Sequence, residues 1–207
     1  SAFSTDTRAQ KITEGKATRF DKVFEARYST MARFAGDASL NINLKGVNTS
    51  VFYRMIQPDY TSLGNYYMAN NYHSIGINVG TSLFRRVSLA ATFSAQEDNL
   101  SNKQLYTTRG FVYSAFAATR IGQHLNLSLG YNGYLQTQSD GTAKVNDTTR
   151  VNRAMHTFTF TPSYSIDNDQ FGHAISLSGS YVQNKDLNRF STGMSDVTSL
   201  AIGASYG

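Results

Sequence analysis

Residues 71–97 contain two consecutive segments that carry apolar residues at every second position. The tight turn Leu83-Phe84-Arg85-Arg86 joins them. A period of two predicts a β-hairpin, because successive side chains of a strand point to opposite faces. The predicted apolar face holds His73, Ile75, Ile77, Val79, Thr81 and Leu83 in the first segment, and Val87, Leu89, Ala91, Phe93 and Ala95 in the second.

The predicted strands are unusually long. Strands of soluble sheets run about five or six residues, whereas a tilted strand that crosses a bilayer needs roughly 9 to 11. The tripeptide Ala35-Gly36-Asp37 is predicted to turn the chain after the first strand. Residues 1–16 are polar and without period, which predicts a tail or loop, and residues 17–207 are predicted to form the folded domain. Alternation predicts about ten strands, at 22–34, 39–45, 50–57, 73–83, 87–97, 110–121, 125–136, 154–164, 173–184 and 197–206.

The predicted connections alternate in length. Short turns fall at 45–48, 83–86, 121–124 and 167–171, and long polar loops fall at 58–70, 98–107, 138–152 and 185–196. In an up-and-down meander, alternate connections lie at the same end of the sheet. Short turns at one end and long loops at the other are typical of outer-membrane barrels.

The residues opposite the apolar faces also favour a membrane. They are mostly Ser, Asn, Gly, Ala and Gln in the central strands, whereas a soluble sheet usually places charged residues there. Charges lie near strand ends, as at Arg85, Arg86, Arg120 and Glu97. The sequence therefore predicts an all-β fold, an antiparallel up-and-down transmembrane β-barrel or part of a larger one. The alternative is a soluble β-sandwich in which the apolar face is the core.

Composition argues against several functional classes. The net charge is +5, but the 19 basic residues are scattered along the chain, so we predict no nucleic-acid binding. The four histidines are far apart, which predicts no metal site, and no cofactor-binding motif occurs. Glu97 and Asp98 are adjacent in a strand and point to opposite faces, so they cannot act as a paired acid and base. We do not expect an enzyme.

Five residues are candidates for function. If Val51, Tyr53 and Met55 face lipid, Arg54 faces the lumen, and the same reasoning applies to Arg120. Arginines there would either favour anions in a pore or form a salt-bridge network inside a closed barrel. The long loops are candidates for binding an external partner, and the tyrosines predicted for that role are Tyr60, Tyr66 and Tyr67.

Residues 53–71 (YRMIQPDYTSLGNYYMANN) and the later QEDNL at 96–100 resemble a group of outer-membrane β-barrel proteins of the Bacteroidota. The resemblance is strongest over residues 50–110. It implies a barrel in the outer membrane of a Gram-negative bacterium, surrounded by outer-membrane lipid. In such proteins the barrel is often the C-terminal part of a longer chain, so these residues resemble a barrel portion. The resemblance implies no substrate and no assigned site residues.

We therefore expect a channel, or a membrane-embedded subunit of a transport, secretion or assembly complex with other envelope proteins as partners. Two alternatives remain open. One is a structural or adhesive barrel that binds a partner through its long external loops. The other is a soluble β-domain that binds a ligand or polymer.

Overall fold

The computed structural model describes residues 2–4, 8–11, 27, 29–60, 69–168, 171–191 and 196–207. Within these ranges the regular structure consists of strands, and no helix is long and apolar enough to cross a membrane. The strands are β1 Ala2–Ser4, β2 Met31–Arg33, β3 Ala35–Leu44, β4 Val47–Ile56, β5 Tyr72–Leu83, β6 Val87–Asp98, β7 Tyr106–Ile121, β8 Leu125–Asp140, β9 Asn152–Asn168, β10 Phe171–Asp186 and β11 Val197–Tyr206.

Strands β3 to β11 form one antiparallel sheet of nine strands in chain order. The predicted all-β antiparallel meander is confirmed. Its two edges, β3 and β11, do not pair with each other, so the sheet is open. Strands β1 and β2 form a separate two-stranded sheet.

The predicted alternation of connections is also confirmed. Short turns at 45–46, 84–86 and 122–124 share one end of the sheet, the short-turn end. The connections at 57–71, 99–105, 141–151 and 187–196 share the other, the long-loop end. Lys45 and Gly46 have φ values of 48° and 85°. Positive φ at both central residues is the conformation of a type I′ hairpin turn, whose twist matches that of the strands it joins.

Two details of the predicted N-terminal region differ from the structure. The predicted turn Ala35-Gly36-Asp37 is wrong, because these residues are extended and pair with 54–56 of β4. Of the predicted strand 22–34, residues 22–26 and 28 lie outside the described residues. Residues 31–33 form β2, which pairs with β1 rather than with β3. Local turn propensity at Gly36 and Asp37 gives way to ladder hydrogen bonds and to a cross-strand ion pair between Asp37 and Arg54.

The described residues lack a dry core between two layers. Contacts between strands join neighbours in the sheet and no others. The buried apolar residues are Ile56, Val145 and Ala154, and no described side chain is fully buried. Large apolar side chains such as Ile77, Phe160 and Leu129 are 38, 47 and 55% exposed. An apolar surface of this extent indicates an interaction with lipid or protein.

Candidate functional site

The pairing register sorts the sheet into two faces, because every directly opposed residue projects to the same side. Ile77 of β5 opposes Phe93 of β6, so the two predicted apolar segments lie on one face, as expected. We call this side the apolar face and the other the polar face. One row of the apolar face, the reference row, crosses all nine strands: Leu44, Val47, Thr81, Leu89, Ala117, Leu129, Phe160, Gly179 and Ile202.

The short turns lie along an oblique line relative to this row. The β3–β4 hairpin ends at the row itself, since Leu44 and Val47 are its last pair. The β5–β6 hairpin continues two residues beyond the row, to Leu83, and the β7–β8 hairpin continues four, to Ile121. The β9–β10 hairpin continues eight, to Asn168.

This offset defines a strand tilt. Eight residues at about 3.3 Å each, over six strand spacings of about 4.8 Å, incline the line of turns by roughly 40° to the rows. If the turns lie in one plane, the strands make the same angle with the normal to that plane. Strands of transmembrane barrels tilt by about 35–45°.

The apolar side chains follow the same oblique line. On β5 they run from Ile75 to Leu83, and on β9 they run from Phe158 to Ile166, nine residues in each case. Relative to the rows of the sheet, the β9 segment lies nearer the short-turn end than the β5 segment does. Gln183 of β10 lies in the same row as Ile77 but is polar. Nine residues at that tilt span about 23 Å, close to the apolar band of about 25 Å on outer-membrane barrels.

Polar and aromatic groups mark both borders of the apolar band. At the short-turn end, Tyr206 Oη lies 2.6 Å from His173 Nδ1, and the His124 and Tyr164 rings are 5.9 Å apart. At the long-loop end, Arg109 Nε and Nη2 donate to Glu97 at 2.8 and 3.3 Å. Amphipathic aromatic residues and charges suit the boundary between an apolar and an aqueous phase.

The polar face is built mainly from hydroxyl and amide side chains. Its central row has a polar residue at eight of nine positions and no charge. Thr92 Oγ1 donates to Asn78 Oδ1 within that row, at 2.9 Å. The row consists of Asn41, Ser50, Asn78, Thr92, Ser114, Asn132, Thr157, Val182 and Ser199.

Charges of the polar face lie toward the ends of the strands. Near the long-loop end, Arg54 donates to Asp37 directly across the β3–β4 pair. In the same row, Arg153 Nε donates to Gln136 Oε1 at 2.7 Å. Arg120 lies on this face near the short-turn end, where its guanidinium donates to the carbonyl of Gln123.

The structure therefore places Arg54 and Arg120 on the face opposite the apolar residues but does not bring them together. Arg54 donates to Asp37 and Arg120 donates to the carbonyl of Gln123, and neither acceptor was predicted from the sequence. Sequence reasoning misses Asp37 as the partner of Arg54 because Ala35-Gly36-Asp37 has the residue types of a turn. An acidic residue on the strand next to Arg54 is a signal that could identify the ion pair.

Of the loop tyrosines, Tyr60 is half-buried, and its backbone N–H donates to the Gln57 carbonyl at 3.4 Å. Tyr66 and Tyr67 lie outside the described residues.

The long loops are joined to one another. The backbone N–H groups of Thr142 and Ala143 donate to the carbonyls of Gln104 and Leu105 at 3.0 and 3.2 Å. Asn188 Nδ2 donates to the carbonyls of Asp147 and Arg150, both at 2.9 Å. Three long loops thus form a connected rim.

The histidines contact neighbouring residues rather than one another. Besides His124 and His173, His156 Nδ1 lies 2.9 Å from Tyr131 Oη, and His73 stacks on Tyr53 at 6.3 Å. The described ranges contain no group of three side chains suited to holding a metal ion.

Comparison of the chain with protein-family models, with curated proteins and with solved structures finds no match.

Proposed function

We propose that this chain is an integral outer-membrane β-barrel protein of a Gram-negative bacterium, of the Bacteroidota group that residues 53–71 resemble. Its function is that of a channel or of a membrane-embedded subunit of a transport, secretion or assembly complex. Lipid covers the apolar face, and the polar face lines the lumen.

The observation that carries this proposal is the oblique apolar band. The line of turns and the apolar side chains shift together along the strands, from Ile75–Leu83 on β5 to Phe158–Ile166 on β9. A flat apolar slab that crosses tilted strands produces this pattern. The band also has the height that a bilayer requires.

The polar face supports the second part of the proposal. Its central row carries hydroxyl and amide groups and no charge, as suits a wet lumen or a packed barrel interior. Charged residues such as Arg54 and Arg120 lie toward the ends of the strands, where they cost less free energy in a membrane protein.

Closure of the barrel requires strands beyond the nine. Because β3 and β11 are separated by an even number of antiparallel steps, they run in the same direction. Direct pairing of these edges would be parallel. An antiparallel barrel therefore needs an odd number of further strands between β3 and β11. With ten strands in total, side chains nearly fill the interior and a subunit role is favoured, whereas with 14 or more an aqueous path opens.

A second candidate is a barrel that binds an external partner through its loops. The observation that favours it is the connected rim, in which hydrogen bonds from Thr142 and Asn188 hold three loops together. A pre-organised rim loses less conformational entropy on binding than separate loops do. Deletion of residues 141–149 separates the two functions, because a channel would still conduct and a binding protein would lose its partner.

Spin labels test the proposed membrane insertion. The chain has no cysteine, so a single-cysteine variant is labelled at one site only. Ile77 and Asn78 are adjacent in β5, so Ile77→Cys places a label on the apolar face of the sheet and Asn78→Cys places one on the polar face. In liposomes, we expect the label at 77 to be accessible to molecular oxygen and protected from a water-soluble nickel chelate, and the label at 78 to show the reverse preference. A label at 77 that is shielded from both reagents would indicate a second protein layer and exclude the proposal.

A further inference from the structure

A pocket of about 300 Å³ lies on the polar face near the long-loop end, across β4 to β8. Its lining combines two aromatic side chains, two primary amides, three serine or threonine hydroxyls and a single carboxylate. The residues that matter most are Phe52, Tyr134, Gln96, Gln136 and Asp98. Small-molecule sites begin at about this volume, and they join aromatic surface to a few placed polar groups.

The two aromatic rings are positioned by glycines on neighbouring strands. The Phe52 ring lies over Gly76, where an added Cβ would come within 2.4 Å of Cζ. The Tyr134 ring lies over Gly110, at 3.5 Å from the corresponding Cβ position. The rings therefore cover β5 and β7, two strand spacings apart, or roughly 10 Å. Ser94 and Gln96 of β6 line the pocket between them.

The polar groups between the rings suit hydroxyls. The amide of a glutamine offers both donors and an acceptor, as a hydroxyl does. Gln136 Oε1 accepts from Arg153 Nε at 2.7 Å, which leaves its NH₂ group as the donor toward a ligand. Asp98 Oδ1 accepts from the Thr108 backbone N–H at 2.7 Å, so this carboxylate is held in place.

We infer that this pocket binds a neutral, hydroxyl-rich ligand, a sugar ring, with its C–H faces against Phe52 and Tyr134 and its hydroxyls on Gln96, Gln136 and Asp98. The C–H faces of a sugar are apolar and match aromatic rings, and its edges carry paired donors and acceptors. Asp98 is the one charged side chain in the lining, and the guanidinium of Arg153 contacts the lining residue Gln136 from outside, so a neutral ligand suits the pocket better than an anion or a cation. The inference deepens the proposed function, because the pocket lies on the face assigned to the lumen.

Calorimetric titration of the detergent-purified protein tests it, with glucose, galactose and maltose as neutral probes, glucuronate as an anion and choline as a cation. We expect saturable binding of at least one neutral sugar and weaker binding of glucuronate. Phe52→Leu and Tyr134→Leu should each weaken that binding about tenfold, equivalent to about 1.4 kcal/mol. Gly76→Ala should weaken it as well, since the new methyl group displaces the Phe52 ring.

Phe116→Leu is the matched control. Phe116 lies on the same polar face, is 48% exposed and does not line the pocket, so binding should be unchanged. Retention of heat-modifiable gel mobility shows that each variant is folded.

Three results would overturn the inference: no saturable binding of any neutral probe, choline bound more tightly than every sugar, or equal affinities for wild type, Phe52→Leu and Tyr134→Leu. These outcomes are independent of membrane insertion. Sugar binding with a label at 77 that is not exposed to lipid would place the same pocket in a protein that is not a barrel.

Discussion

The ring of Tyr113 covers Gly133 on the adjacent strand, so closely that a Cβ at position 133 would lie 2.0 Å from Cε2 of the tyrosine. The two residues are directly opposed in the β7–β8 pair. Tyr113 also contacts the rings of Tyr131 and His156, at 5.9 and 6.4 Å between centroids. The absence of a side chain at 133 is what lets this aromatic group lie flat on the apolar face.

Gly133→Ala should therefore lower the free energy of unfolding. The methyl group forces Tyr113 out of its position, and overpacking of this kind costs about 1–3 kcal/mol. Urea unfolding of the detergent-solubilised protein measures the change. Gly80→Ala is the control, because its nearest neighbour would be 3.9 Å away, and we expect a change within about 0.5 kcal/mol. In a Tyr113→Ala background most of the clash should be absent, so Gly133→Ala should cost less there than in the wild type. An equal loss of unfolding free energy in the two backgrounds would contradict this explanation.

The oblique band predicts different costs for charges placed in one row of the sheet. Ile77 and Gln183 share a row, yet Ile77 lies inside the band and Gln183 outside it. Ile77→Arg should destabilise the folded protein in lipid by about 2–4 kcal/mol, the cost near a bilayer midplane. Gln183→Arg should cost under about 1 kcal/mol, as near the interface. Equal costs at the two positions would show that both lie at the same depth in the membrane, and would contradict an oblique band.

Asn99 should stabilise the conformation of the 99–105 loop. It is 2% exposed, its Nδ2 donates to Thr107 Oγ1, and its Oδ1 accepts from the backbone N–H of Gln104, both at 2.9 Å. Removing a buried partner costs about 1–3 kcal/mol, so Asn99→Gly should speed tryptic cleavage after Lys103. Asn99→Ala should speed it further, because φ at this residue is 62°. Asn102→Gly, at φ 52°, is the control and should leave cleavage unchanged.

Asp37 should partly neutralise the positive charge of Arg54 on the polar face. Their side chains are 68 and 54% exposed, so Asp37→Asn should change stability by less than about 1 kcal/mol. In a planar bilayer, however, loss of the carboxylate should shift the reversal potential of a conducting protein toward anion preference. Glu97→Gln removes a carboxylate on the other face and should leave the reversal potential where it is. A shift of the same size in both variants would place the two faces in one aqueous compartment.

Alternation was enough to predict most strands of the main sheet and their faces, but not the start of β3 at Ala35. Ile75 and Ile77 lie on the apolar side, and Arg54 lies on the polar side, because the direction of a side chain in a strand depends on the parity of its position. The alternation of short turns and long loops also followed from local residue types.

An all-β antiparallel meander with two unlike faces can be inferred without a structure, since these properties depend on residues close together in the chain. The register emerges only from the folded sheet, and with it the Asp37–Arg54 pair, the Phe52–Tyr134 pocket and the oblique apolar band. Register depends on cross-strand partners that local patterns do not specify, and a slip of two residues keeps every side chain on its own face. For that reason the faces were predictable, whereas the tilt and the pocket were not.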